Sequence, residues 1–529
     1  MTAARERPAP PKYRIIYNWD GAPHMYSEYP QSVDQFLEKT FAPLVDTQVD
    51  ALFWSMGEHE ATWPSEALGM IGDATARGYN GVAELRRVEG IRAMFERGEN
   101  PHEAMIAYGH ERGIDVWASI RMNDQHFWRI QDLQTMEKTV TNGLTDLRKQ
   151  HPQWCLGDDA PNWCTTSWNM AIAQVREHKL QFIEEACRVA DWDGVELDWQ
   201  RHGFHLPANH EYRLRYTLTD LQAAIRQMTD RLSEERGKPF HVAVRVATTL
   251  ESCRRIGYDL PVWMGDGLCD IVIGGGNSGT DACFETAAFL ALAQGTSIRV
   301  YPGYDSDGRQ QTRRLVSGNE WRDRWFAAMS QAHLDSGADG VYVFNWHANE
   351  TTRRKSLTTM GATQTLRHED KAYTAMHRTI ANSPLREDCD RDDRIYGEVP
   401  VTLYRSLTGD GPRFHIPVHD DVVGEAERLA SVQLLIEMEH FSPLADEVSV
   451  TLDGKMLQAP VIRNVAADDP GNPADVDEIS WLVWDLEPSQ AAKGEHEISV
   501  VLVNRDPRIG VPLTIGNVEF WILYRRDQP

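Results

Sequence analysis

Short apolar runs alternate with longer amphipathic segments from Tyr13 to about residue 385. Runs of this length are typical of buried strands, and the amphipathic segments are typical of helices. Such alternation predicts successive βα units around a parallel sheet, and eight strands close most simply as a (β/α)8 TIM barrel of the α/β class. The predicted strands are Tyr13–Asp20, Val49–Gly57, Ile114–Arg121, Gly194–Gln200, His241–Thr248, Asp270–Gly274, Ser297–Gly303 and Gly340–Trp346.

The amphipathic segments predict helices that connect these strands, and one more helix after the last strand. They are Val33–Val45, Pro101–Arg112, Ala171–Ala190, Leu214–Glu235, Phe284–Gln294, Glu320–Ser336 and Lys371–Ala381. A charged linker over 386–394 follows, and then short alternating strands separated by turn residues, which favour an antiparallel β-sandwich. The predicted organisation is a flexible tail over 1–12, a barrel over 13–385 and a sandwich over 395–529.

The fourth predicted strand carries the most informative chemistry. Because side chains alternate faces along a strand, Glu196, Asp198 and Gln200 are predicted to share one face. Two adjacent inward carboxylates are costly unless they are paired or used, so a functional site is favoured over a half-buried surface strand.

Other polar and aromatic residues come at or just after the predicted carboxyl ends of strands, where barrel enzymes keep their active sites. Any one of them could be structural, but their concentration at strand ends favours a shared site. The candidates are Asp20, Glu58, His59, Glu60, Arg121, Asp124, Arg201, His202, Arg245, Asn277, Tyr304, Asp305, Trp346 and His347.

Paired carboxylates and abundant tryptophan point to carbohydrate chemistry. Hydrolysis of a glycosidic bond needs one carboxyl group as acid and another as nucleophile or base. The chain has 17 Trp, several near strand ends, and such rings offer flat apolar surfaces for sugars. We therefore expect a glycoside hydrolase that acts on an oligo- or polysaccharide.

The segment Asp193-Gly-Val-Glu-Leu-Asp-Trp-Gln resembles the fourth-strand motif of family 18 chitinases, D-G-x-D-x-D-x-E. The whole barrel is more similar to the bacterial family-10-like glycosylhydrolase group, whose members read D-G-I-E-L-D-F-x-R-H there. The final acid of the chitinase motif is its general acid, and this chain has Gln200 at that position. An amide cannot donate that proton, so the resemblance implies a sugar-cleaving barrel but not chitinase chemistry.

With Gln200 excluded as an acid, Asp198 is the predicted nucleophile or base, and Glu196 is predicted to tune it by like charge. For the second carboxylate, Asp305 and Asp124 are favoured over Glu58 and Glu60. Arg121, Arg201 and Arg245 either pair with the chain's own carboxylates or bind an anionic sugar group. The predicted substrate-binding residues are Asp20, Glu58, His59, Arg121, Gln200, Arg201, His202, Arg245, Asn277, Tyr304, Trp346 and His347.

Three alternatives stay open. One is a catalytically silent sugar-binding barrel. Another is a metal-dependent lyase or isomerase using His59, His126, His202 or His347, although no H-x-H or H-E-x-x-H spacing supports it. The third is a dinucleotide site at Gly274–Gly279, which fits G-x-G-x-x-G but lies in the sixth βα unit instead of the first. We predict no metal and no cofactor.

Charge and cysteine usage narrow the partners and the compartment. A net charge of -25 without a basic run disfavours nucleic acid and anionic membranes as partners. No stretch of eighteen apolar residues and no apolar signal segment occurs. Seven scattered Cys form no disulfide or zinc pattern. These features predict a soluble cytoplasmic protein whose partner is a carbohydrate, and they leave the sugar and the oligomeric state open.

Overall fold

The computed structural model describes residues 7–19, 28–57, 60–123, 125–127, 129–160, 162–276, 280, 284–305, 318–348, 351–377, 397–405, 409–464 and 479–526. Eight parallel strands form a closed barrel in chain order, with the eighth paired to the first. The predicted (β/α)8 fold is confirmed. The strands are β1 Ile15–Trp19, β2 Val49–Gly57, β3 Asp115–Arg121, β4 Gly194–Asp198, β5 His241–Val246, β6 Ile271–Gly275, β7 Arg299–Asp305 and β8 Val341–Phe344.

The helices begin at residues that favour helix starts. Ser32 caps the first helix in a capping box with Gln35, and Asn100 caps the third, which has Pro101 in its first turn. The helices are α1 Val33–Phe41, α2 Val82–Glu96, α3 Pro101–His110, α4 Leu133–Lys138, α5 Asp146–Gln150, α6 Ala173–Arg188, α7 Glu211–Arg236, α8 Leu250–Ile256, α9 Leu260–Gly265, α10 Thr286–Ala293, α11 Gly318–Asp335, α12 Thr351–Ser356 and α13 Thr363–Leu366.

Alternation along the barrel strands divides apolar residues between two faces. Large rings such as Phe53, Trp117 and Tyr301 belong to one buried cluster inside the barrel. The neighbouring Trp54 has the opposite parity and packs edge-on against Phe36 of α1, with 5.5 Å between ring centroids. The interior is therefore packed, as is usual for this fold, and open chemistry is confined to the strand ends.

The C-terminal part of the chain forms two antiparallel sheets. One has the order β10-β18-β12-β16-β15 with β9 beside β18, and the other has the order β11-β17-β13-β14. Alternating apolar residues from both sheets, such as Ile436 and Phe414, share one core, which confirms the predicted β-sandwich. The strands are β9 Lys371–Thr374, β10 Val401–Leu403, β11 Arg413–Val418, β12 Leu429–Glu439, β13 Asp446–Leu452, β14 Lys455–Met456, β15 Val461–Asn464, β16 Ile479–Asp485, β17 Gly494–Arg505 and β18 Leu513–Tyr524.

The predicted helix over Lys371–Ala381 is wrong in its described part. Residues Lys371–Thr374 form β9, which pairs with β18 in the register Thr374 to Glu519. Backbone pairing to a neighbouring strand and burial of the Lys371 ammonium group override the local helix pattern.

Contacts divide the chain into two compact units. One consists of 1–307, 337–350 and 383–391, and the other of 308–336, 351–382 and 392–529. Helix α11 and strand β9 therefore group with the C-terminal sheets. The predicted linker over 386–394 lies outside the described residues, so that boundary stays a prediction. Within the described ranges, no helix is long and apolar enough to span a membrane.

Candidate active site

Strand β4 directs Glu196 and Asp198 into the carboxyl end of the barrel. Both side chains are buried, with 0% and 1% of their surface exposed. Glu196 contacts residues of β1, and Asp198 contacts a residue of β5, so both face the barrel interior. The predicted alternation of this strand is therefore seen in the structure.

Asp198 is held on one side only. Its Oδ1 atom accepts hydrogen bonds from Arg245 Nη1 at 2.8 Å and from the backbone N–H groups of Gln200 at 3.1 Å and Arg201 at 2.9 Å. Its Oδ2 atom is buried and has no hydrogen-bond partner among the described residues. One oxygen thus fixes the carboxylate, and the other keeps its capacity to accept a bond.

Glu196 lies one pleat deeper in the barrel. Its Oε2 atom accepts a hydrogen bond of 2.6 Å from Asn18 Nδ2, and Asn18 also donates to Ser119. Burial and the negative charge of Asp198 raise the pKa of Glu196 to about 7, against opposing effects of Ser119, Tyr342 and Arg245. Near neutral pH this carboxyl group can therefore hold or release a proton.

Three guanidinium groups surround the ring of Phe344 at the end of β8. The Cζ atoms of Arg245, Arg201 and Arg121 lie 4.4, 5.4 and 5.7 Å from the ring centroid. Burial is the largest single influence on the pKa of Arg245 and lowers it, but the charges of Asp198, Tyr342 and Glu196 and the hydrogen bond to Asp198 together outweigh burial, so the pKa is raised. The three predicted arginines therefore converge with the two carboxyl groups in one buried cluster, here called the strand-end cluster: Arg121, Glu196, Asp198, Gln200, Arg201 and Arg245.

Several buried polar atoms of the strand-end cluster lack hydrogen-bond partners within the described part of the chain. Besides Asp198 Oδ2, they include Glu196 Oε1, Gln200 Oε1, Arg201 Nε and Arg245 Nε. Buried polar groups are usually satisfied, and each exception needs an explanation. A bound substrate rich in hydroxyl groups could supply both the donors and the acceptors.

The glycine run at the end of β6 makes room for Arg245. A Cβ atom on Gly275 would lie 3.2 Å from Arg245 Nε, and one on Gly274 would lie 2.1 Å from the Phe284 ring. Arg245 Nη2 also donates to the Gly276 carbonyl at 2.6 Å. Packing against Arg245 and Phe284 therefore explains Gly275 and Gly274, and no dinucleotide site is needed to account for them.

Asn123 anchors the long insertion that follows β3. Its side chain donates to the carbonyls of Trp168 at 2.9 Å and Phe204 at 2.6 Å, and it accepts from the Trp168 N–H group at 3.0 Å. His202, at a positive φ of 96°, accepts from the Gln125 N–H group through Nδ1. The loops after β3 and β4 are therefore tied together beside the strand-end cluster.

The remaining predicted residues are more scattered. Asp305 has inward parity on β7 and is 7% exposed, whereas Tyr304 is buried with the parity of the outer face. Trp346 is buried, and His347 is exposed and lies edge-on to Trp19 at 5.5 Å. The predicted residues Asp20, Glu58, His59, Asp124 and Asn277 lie outside the described residues.

The tryptophans near strand ends pack in the core. Trp63 contacts Phe182, Trp199 contacts Trp263 and donates to Gln222 on α7, and Trp54 contacts α1. With Trp19 and Trp346 these rings are at most 3% exposed, so none of the five offers an open face to a sugar. Trp128 lies outside the described residues.

Sequence reasoning missed Asn18, Ser119, Tyr342 and Phe344, which surround the two carboxyl groups. Only the last inward position of each strand was considered, apart from β4. Applying the same alternation deeper along each strand would have found all four, because Asn18 shares its parity with Asp20, Ser119 with Arg121, and Phe344 and Tyr342 with Trp346.

The described histidines do not join Asp198 in a three-residue metal-ligand group. His126 and His202 lie near each other, with 6.1 Å between ring centroids. The three-residue group found among the described residues is His110, Asp115 and Asp193, at the amino ends of β3 and β4. It is on the other side of the barrel from the strand-end cluster.

No protein-family model and no curated protein matches this sequence. Solved structures align over most of the chain with low scores. A cycloisomaltooligosaccharide glucanotransferase from Paenibacillus sp. aligns at 10% identity and a TM-score of 0.31, over 96% of this chain and 57% of its own. A maltogenic alpha-amylase from Thermotoga neapolitana aligns at 12% identity and a TM-score of 0.34, over 96% of this chain and 99% of its own. A family GH18 chitinase from Chromobacterium violaceum aligns at 10% identity and a TM-score of 0.34, over 97% of this chain and 91% of its own. Such scores carry no information about chemistry, so the site rests on its own geometry.

Proposed function

We propose that this protein is a glycoside hydrolase that cleaves O-glycosidic bonds in an oligo- or polysaccharide. The observation that carries the proposal is the buried carboxyl pair on β4. Asp198 is fixed by three donors through one oxygen, and the pKa of Glu196 is raised to about 7. A carboxylate held by several donors, beside a carboxyl group that can hold a proton near neutral pH, is suited to act as nucleophile or base, and a further carboxyl group then supplies the acid.

In this proposal Asp198 acts as nucleophile or base, because its Oδ2 atom keeps an open acceptor position. Glu196 holds a proton behind it and tunes its charge. A further carboxylate, for which the sequence favours Asp305 or Asp124, would complete the reaction. Gln200 remains unsuited to proton donation, which separates this chemistry from that of the chitinase motif it resembles.

The proposed substrate carries an anionic group. In the strand-end cluster three arginines face two carboxyl groups, one of which is only partly charged near neutral pH. Arg245 is committed to Asp198, and Arg201 is half-buried with its guanidinium group over Phe344. A sulfate or uronic carboxylate would balance the positive charge through charged hydrogen bonds.

A second candidate is a sugar-binding barrel without catalysis, and two observations favour it. Gln200 stands where the chitinase motif has its acid, and Asp198 and Arg245 form a closed ion pair with 1% and 2% of their side chains exposed. Binding could then be the only activity of the site.

A panel of neutral, sulfated and uronic polysaccharides distinguishes the two candidates. A hydrolase releases new reducing ends from at least one of them, and Asp198→Asn abolishes the release. Binding of a polysaccharide without product after long incubation would overturn the hydrolase proposal.

A further inference from the structure

A cavity of about 520 Å³ lies at the amino ends of β5 and β6. This size is within the range of about 300–1,000 Å³ that is typical of small-molecule sites. Its walls are one face of α7, the turn over 237–239, the start of β5 and the residues Arg7 and Pro8. It is at the other end of the barrel strands from the strand-end cluster, and the proposed hydrolase chemistry makes no use of it.

Arg226 lies at the closed end of this cavity. It is 3% exposed, and its Nη2 atom lies 2.8 Å from Asp270 Oδ2. That oxygen also accepts the Val242 N–H group at 2.8 Å, so Asp270 is shared. Arg226 Nε has no hydrogen-bond partner in the described ranges. A guanidinium group has five N–H donors, so Arg226 retains donor capacity toward a ligand.

His241 lies beside this pair and also lines the cavity. Its Nδ1 atom is 3.7 Å from Asp270 Oδ2, which is too far for a hydrogen bond. Arg226 therefore presents donors beside a single shared carboxylate, with the His241 ring next to it. This arrangement fits one further carboxylate, because a planar guanidinium matches a carboxylate in a bidentate way.

The outer part of the cavity presents acceptors. Asp230, Ser233 and Glu234 share one face of α7, and Asp230 is fixed by Arg7 through contacts of 2.8 and 3.1 Å. The lining has three cations, Arg7, Arg226 and Lys238, and three carboxylates, Asp230, Glu234 and Asp270. A polyanion would meet these carboxylates, whereas hydroxyl groups would donate to them.

We propose that this cavity binds a small hydroxylated monocarboxylate, with its carboxylate on Arg226 and its hydroxyl groups on Asp230 and Glu234. The proposal does not depend on the function of the strand-end cluster. Because only the folded barrel contains the cavity, binding also stabilises the chain against heat.

Titration calorimetry on the full chain with sodium gluconate tests the proposal. Gluconate is expected to bind at one site per chain at millimolar concentration or tighter and to raise Tm in a saturable way. Sorbitol lacks the carboxylate, acetate lacks the hydroxyl groups and citrate carries more charge, so each is expected to bind at least tenfold more weakly. Absence of saturable gluconate binding, or equal binding of sorbitol, would overturn the proposal.

Two variants locate the site. Arg226→Gln is expected to abolish gluconate binding, but it also leaves Asp270 without its cation and can reduce stability. Ser233→Trp fills the cavity from its outer wall without touching the buried ion pair, and it is expected to abolish binding in a normally folded chain. Unchanged gluconate affinity in Ser233→Trp would show that gluconate binds elsewhere.

Discussion

Two buried ion pairs, one in the barrel and one in the C-terminal sheets, differ in how completely their atoms are bonded. In the barrel, Asp198 and Arg245 are 1% and 2% exposed, and both keep a buried atom without a partner among the described residues. In the C-terminal unit, Asp420 and Lys371 are 5% and 0% exposed. Their burial is therefore similar, and their hydrogen bonding is not.

The pair in the C-terminal unit is saturated. The Lys371 ammonium group donates to Asp420 at 2.9 Å and to the carbonyls of Leu366 and Glu369 at 2.6 and 3.1 Å. The Asp420 carboxylate also accepts from Tyr373 at 2.6 Å and from Tyr524 at 2.7 Å. All three ammonium protons and both carboxylate oxygens are thus used, as expected of a structural network.

We propose that this difference in hydrogen bonding, rather than burial, distinguishes the functional pair from the structural one. A saturated network has no atom left for a ligand, whereas the strand-end cluster keeps buried polar atoms that are available to one. The comparison predicts that changes at Asp420 affect stability and that changes at Asp198 affect turnover.

The largest expected effect is on the rate of Asp198→Asn. We expect turnover to fall by about 10²–10⁴-fold, the range typical of a lost acid–base group. Because Arg245 also loses its counter-charge, some loss of Tm is expected, and rates must be compared per folded molecule. Initial rates on the best substrate from the polysaccharide panel measure this.

The matched variant is Asp420→Asn, which removes a buried carboxylate of similar exposure. Loss of one partner of a buried pair costs about 3–5 kcal/mol, so a clear drop in the denaturation midpoint of the C-terminal unit is expected. The rate per folded molecule should not change. If Asp420→Asn lowers that rate as much as Asp198→Asn does, the distinction between the two pairs is wrong.

Glu196→Gln is expected to change how stability depends on pH. The pKa of Glu196 is about 7 in the folded chain, above its ordinary value of 4.5, so the folded state binds more protons than the unfolded state between these pH values. The parent therefore loses stability as pH rises from about 4.5 to 7, by up to about 3 kcal/mol. Glutamine cannot ionise, so the stability of the variant relative to the parent should increase as pH rises over this range.

Urea midpoints of both chains, measured at about pH 5 and pH 8, test this expectation. Asp198→Asn is the control, because removal of the neighbouring charge lowers the pKa of Glu196 and reduces the pH effect. A constant difference between Glu196→Gln and the parent across this range would mean that Glu196 titrates normally.

The fold could be predicted well from the sequence because the pattern of an apolar run followed by an amphipathic segment is repeated along the barrel. All eight barrel strands follow apolar runs, and each run is bounded by turn or helix signals, so one weak boundary does little harm. The helix predicted over Lys371–Ala381 was wrong because this segment follows the last βα unit and is not part of the repeated pattern. Its local pattern favours a helix, and only the distant partner β18 makes Lys371–Thr374 a strand.

The candidate site was predicted in part. Strand parity placed Glu196, Asp198, Arg121 and Arg245 on inward faces, because alternation is fixed by backbone geometry. Arg201 has the opposite parity and follows the end of β4 at Asp198, so only its place near a strand end indicated it. The exact pairing could not be predicted, because the predicted barrel places β5 beside β4 but does not fix the register that sets Arg245 opposite Asp198. The burial of the tryptophan side chains could not be predicted either, because an aromatic ring packs in a core as readily as it stacks on a sugar.

The smallest expected effect concerns Arg201, whose guanidinium group lies over Phe344 and whose backbone N–H group donates to Asp198. Arg201→Gln keeps that backbone bond and removes only the side-chain charge. A charged hydrogen bond contributes about 1.5–3 kcal/mol, so preference for an anionic substrate over its neutral counterpart should fall by at least about tenfold. The kcat/KM values of parent and variant on a sulfated or uronic substrate and on its neutral form measure this ratio.

Arg254→Gln, at an exposed arginine paired with Glu251 on α8, is the control and should leave the ratio unchanged. Equal kcat/KM values for both substrates in the parent would show that the arginines serve the chain's own carboxylates.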